Sequence, residues 1–107
     1  MGGLTPPEAV LRPWLAGLCP ESPRAMNERY TLLVTADPAH VTAPVLVMEA
    51  GRDDRLRHPP GQDDALARFL GGEYLLLPDA PHCLMLGEWC DPSAGAIADW
   101  IGRRLPA

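Results

Sequence analysis

Two stretches of this chain end in residues that carry out proton-transfer chemistry. The run Pro44–Val45–Leu46–Val47–Met48–Glu49–Ala50 breaks into the acidic turn Gly51–Arg52–Asp53–Asp54. A second apolar run, Glu73–Tyr74–Leu75–Leu76–Leu77, breaks into Pro78–Asp79–Ala80–Pro81–His82. A carboxylate that orients an imidazole makes a general base, and the pair is two thirds of a nucleophilic triad. The third part would be a serine in a strand–Gly-x-Ser-x-Gly–helix turn. The only serines are Ser22 and Ser93, and neither has that setting. Ser22 precedes a proline at a helix start, and Ser93 falls in the first turn of the last helix. Taken alone, Asp53–Asp54 is a solvated acidic turn and His82 a loop histidine bonded to backbone.

The other reactive side chains have less context. Cys19, Cys83 and Cys90 are an odd set without C-x-x-C spacing, which suits neither a disulfide framework nor a zinc site. They are expected to be buried free thiols. Cys83 follows His82 directly, and neighbouring side chains at such a turn point apart, which argues against a thiol–imidazole dyad. His40 and His58 are expected at the surface, and Met48, Met85 and Trp89 in packing roles.

The elements that must position the acid and the base follow from periodicity. Val45–Ala50 is expected to be a strand apolar on both faces, as in a buried parallel sheet, and Tyr74–Leu77 a second strand. Between them Asp63 or Asp64 caps a helix with Leu66, Phe69 and Leu70 on one face, ended by Gly71–Gly72. Strand–helix–strand requires a parallel pair with a right-handed crossover, so both strand ends reach one rim and their loops can meet. Asp91–Pro92 caps a final helix striped by Ala94, Ile97, Ile101 and Leu105, with Arg103–Arg104 at its end. Upstream, Thr5–Pro6–Pro7–Glu8 has capping-box character and opens a helix with Val10, Leu11 and Trp14, kinked at Pro13 or ended near Gly17. Ser22–Pro23 opens another through Met26, Tyr30 and Val34, and 36–44 is a loop.

These segments, in this order, resemble the C-terminal half of the α/β-hydrolase superfamily, in its single-domain esterase, lactonase and peptidase-like group. "PVLVMEAGRDDRL" is similar to the strand whose Gly-x-x-Asp turn carries the triad acid, which is Asp54 by position. "EYLLLPDAPHCLML" is similar to the last strand and the loop bearing the triad histidine, here His82. "DPSAGAIADWIGRRL" resembles the closing helix, and "SPRAMNERY" a lid-to-core connection. The resemblance covers roughly Val41 to Leu105. It implies an α/β fold, a partial α/β-hydrolase with a parallel βαβ unit and flanking helices. Residues 1–40 would be a lid-like connecting segment and 41–107 a core segment. It implies serine-type hydrolysis of an ester, lactone or amide, with Asp54 and His82 catalytic and no metal or organic cofactor. The nucleophile and oxyanion loop of such enzymes precede the lid, so the chain is expected to be a fragment, inactive alone.

Composition sets limits on partners. The net charge of −5 argues against nucleic acid or an anionic membrane. No apolar run approaches the roughly 18–20 residues of a membrane helix, and the start lacks a signal pattern, so a cytoplasmic location is expected. A small-molecule ester or amide is the expected substrate of a completed site. The alternative is a non-catalytic βαβ module that pairs with itself or with a complementing chain, because two strands with apolar faces leave edges open. A nucleotide-binding α/β domain fits worse, since neither post-strand turn is rich enough in glycine to cradle a phosphate.

Overall fold

The structure is a computed structural model that describes residues 7–31 and 35–105. The proposed cap at Thr5 and Pro6, and Val34, lie outside the described residues. The chain divides into two compact units, one of Thr5–Val41 and one built mainly of Thr42–Ala107.

The first unit holds helices α1 (Glu8–Ala16) and α2 (Pro23–Thr31) and a short 3-10 turn at Pro38–His40. Pro7 takes the cap position of α1, and the helix runs through Pro13 to end beside Gly17. Pro13 removes one N–H from the ladder without ending the helix, and the exposed Glu8–Arg12 pair at 2.5 Å supports the same turns. At α2 the Ser22 signal is realised: Ala25 N–H donates to Ser22 Oγ at 3.4 Å, and Pro23 occupies the first helical position. Asp37 caps the 3-10 turn by accepting from Ala39 N–H at 2.9 Å, so 36–44 is not structureless.

The second unit is a small mixed α/β unit. Strands β1 (Leu46–Ala50) and β2 (Glu73–Leu77) pair in parallel, with Leu46 opposite Glu73 and Ala50 opposite Leu77. Helix α3 (Gln62–Leu70) makes the crossover, and α4 (Cys90–Arg104) follows β2. α3 starts after Gly61 in a left-handed conformation, with Asp63 and Asp64 in its first turn rather than at the cap. Their charges then act on the helix dipole instead of on single N–H groups. Gly71, also left-handed at φ 64°, ends the helix. Asp91 likewise sits in the first turn of α4, not at its cap.

Glu73 ties the far end of α4 to the start of β2. Its carboxylate accepts from Trp100 Nε1 at 3.0 Å and from the Arg104 guanidinium, with Arg103 nearby at 3.8 Å. The Arg104 hydrogen bond holds the Glu73 carboxyl below its usual range, against the opposing effect of burial. Across the strands, Tyr74 donates to Glu49 at 2.5 Å, and this bond to a carboxylate pushes the phenol up to about 12.

The expected burial of the apolar faces is corrected. Among the described residues the buried apolar side chains are Ala50, Ala67 and Ala80, and no large side chain is fully buried. β1 is half-buried from Leu46 through Glu49, Phe69 is 53% exposed, and Leu66, Ile97, Ile101, Leu105 and Met85 are also exposed. The physical reason is sheet width: two strands about 4.8 Å apart offer a face too narrow to cover a helix stripe. The thiols differ too, with Cys19 and Cys90 exposed and Cys83 half-buried. Beside β1 lies an open apolar groove of about 410 Å³, lined by Pro44, Val45, Leu46, Met48, Ile97 and Trp100. No described helix is long and apolar enough to cross a membrane.

Candidate functional site

The parallel ladder runs one step past the strands and then becomes the site. Gly51 N–H donates to the Leu77 carbonyl at 2.8 Å, and Arg52 N–H to the Ala80 carbonyl at 2.9 Å. These bonds hold the acidic loop against the histidine loop. Glycine is required at 51 for space. A Cβ there would lie 2.2 Å from the Pro78 carbonyl oxygen and 2.5 Å from two further Pro78 backbone atoms. Ala80, which accepts from Arg52 N–H, is fully buried, and the Arg52 side chain pairs with Asp79 at 3.0 Å.

The acid that meets His82 is Asp53, not Asp54. His82 Nδ1 lies 2.7 Å from Asp53 Oδ2, and Asp54 N–H donates to Asp53 Oδ1 at 2.6 Å. Burial pushes the Asp53 carboxyl up, but the His82 hydrogen bond, the Asp54 N–H and the His82 and His58 charges outweigh it, and the net effect is a lowering. Asp53 is therefore ionised near neutrality and can only accept, so Nδ1 of His82 carries the proton. In the neutral ring that leaves Nε2 with its lone pair, which is the tautomer of a general base.

Asp54 does something else. Its carboxylate accepts from Leu56 N–H at 3.0 Å and from Arg57 at 2.9 Å. Its carbonyl accepts from Arg57 N–H at 3.1 Å and His58 N–H at 2.7 Å. Asp54 is a capping residue whose turn carries the chain back toward the site, and the Leu56 N–H holds its carboxyl below the usual range. Adjacent residues on a turn point apart, so only one of the two aspartates can face His82, and the turn selects the first.

His58, expected at the surface, is brought to the site by that turn. Its ring centroid lies 4.7 Å from that of His82, with the planes tilted by 38°. Asp53, His58 and His82 each offer a donor atom, and these atoms lie within 4.8 Å of one another. The signal that could have found His58 is Asp54 itself: an aspartate followed by a non-helical Arg–Leu–Arg–His–Pro is an Asx-turn pattern that doubles back. His40, by contrast, is an exposed residue beside Asp37.

Among the described residues no serine, threonine or cysteine is hydrogen-bonded to His82. Ser93 is buried in the first turn of α4 with its Oγ unpartnered among the described residues. Cys83 is half-buried beside the base. Comparison of the chain with family models, with curated proteins and with solved structures finds no match to any of them.

Proposed function

We propose that this chain is the acid-and-base segment of an α/β-hydrolase-type serine hydrolase, with Asp53 in the role of acid and His82 in that of base. The observation that carries the reading is the 2.7 Å contact between Asp53 and His82 at the carboxyl ends of adjacent parallel strands. With a serine brought to His82, Nε2 takes the hydroxyl proton as oxygen attacks an ester, lactone or amide carbonyl. Asp53 holds the tautomer and stabilises the imidazolium, and the same proton then goes to the leaving group. Nucleophile, base and oxyanion donors act as a unit, so the chain alone should not turn over substrate.

The test is hydrolysis of p-nitrophenyl acetate. The isolated chain is expected to do no better than free imidazole. A product extended by its upstream coding sequence is expected to carry a Gly-x-Ser-x-Gly turn and to hydrolyse the ester. Asp53→Asn in that product should lower kcat by about 10³–10⁴-fold. Absence of such a turn, or full activity in His82→Ala, would overturn the reading.

A second reading is favoured by one specific observation, the alanine-only core beside an open groove. In it the unit is a βαβ module that gains its remaining core from another polypeptide or a second copy. The two readings share the need for a neighbour on β1 and differ in whether His82 matters.

A further inference from the structure

His58 stands beside the Asp53–His82 pair and brings a third donor that the hydrolase reading leaves unused. We propose that these three side chains form a binding site for a divalent transition ion of the zinc type. The assignment needs only the three donors and does not rest on the hydrolase reading. Two imidazoles and one carboxylate are a nitrogen–oxygen set that suits Zn²⁺, Ni²⁺ or Cu²⁺ and not the all-oxygen preference of Ca²⁺ or Mg²⁺.

The geometry is close to what such an ion requires. Bonds of about 2.0–2.2 Å hold tetrahedral donors roughly 3.4 Å apart. The three donor atoms lie within 4.8 Å of one another; an ion takes the place of the proton between Asp53 and His82 Nδ1, which passes to solvent, and that 2.7 Å pair opens by less than about 1 Å. The remaining closure falls on His82, whose side chain is 55% exposed, and on the half-buried His58, so rotation about side-chain bonds suffices. Asp53 cannot drift, because Asp54 N–H holds its other oxygen at 2.6 Å.

The guanidinium groups of these loops are engaged away from the cluster: Arg57 by the Asp54 carboxylate at 2.9 Å, Arg52 by Asp79 at 3.0 Å and Arg55 by the Gly51 carbonyl at 2.7 Å. Three protein ligands leave a fourth position for water or a ligand.

The test is calorimetric titration of the full chain with Zn²⁺, alongside Asp53→Asn, His58→Ala, His82→Ala, His40→Ala and Cys83→Ser. One ion per chain is expected, with affinity reduced at least about tenfold in each of the first three variants and unchanged in the last two. Ca²⁺ is expected to bind at least about a hundredfold more weakly. Binding that survives His58→Ala or Asp53→Asn, or that depends on Cys83, would overturn the site. So would equal affinity for Ca²⁺, or no binding at all. A readout on the unaltered chain does not depend on the variants folding. Zn²⁺ should protect His58 and His82, but not His40, from diethyl pyrocarbonate, as seen by peptide mass. Equal modification of all three histidines with and without Zn²⁺ would also refute it.

Discussion

At the scale of single residues, the Asp53 carboxylate is set by a contest between burial and its partners, and the partners prevail. Its folded value lies below the ordinary 3.8, so its contribution to stability is present above that value and is lost as the pH falls through the folded one. Removing the largest favourable partner should reverse the balance. In His82→Ala the Asp53 midpoint, followed by carboxyl carbon NMR, is expected to rise, and an unchanged midpoint would show that the contact is not populated. Gly51 makes a second case. Its missing Cβ is filled by Pro78 backbone, which cannot yield as a flexible side chain could. Gly51→Ala should cost about 1–3 kcal/mol in urea unfolding and separate the two loops.

At the scale of elements, the start of β2 is fastened twice, by Glu73 to α4 and by Tyr74 across the pair to Glu49 of β1. Glu49→Gln removes the charge that holds the Tyr74 proton. Its phenol should then titrate below about 12 in ultraviolet difference absorbance, and an unchanged value would show that Glu49 does not hold the proton. The strands, their order and the helix between them were legible in the sequence, because apolar runs of five or six residues broken by glycine and proline leave few alternatives. That an acid and a base share one rim was legible for the same reason. Which acid was not. Asp53 and Asp54 are chemically identical, and the choice depends on the Asp54 side chain being consumed by Leu56 N–H and Arg57. His58 was missed because its approach depends on where that turn sends the chain. The burial of α3 and α4 was overestimated because a periodic stripe reports a face that wants cover, not whether cover exists.

At the scale of the whole molecule, the described apolar surface exceeds what the chain itself covers. Exposed Phe69, Ile97 and Ile101, with the groove beside β1, make association through that side the expected outcome. Sedimentation should give a mass that is a multiple of 11.6 kDa and rises with concentration. A sharp monomer with cooperative unfolding would contradict this. The alanine core also has a calorimetric consequence. Heat capacity on unfolding comes from apolar area exposed to water, and three buried alanines with half-buried strand side chains release less of it than a closed core would. A dissociated chain should therefore melt over a wide temperature range with a small step in heat capacity. Most of the heat-capacity change would appear instead when β1 and its flanking groove acquire their neighbour.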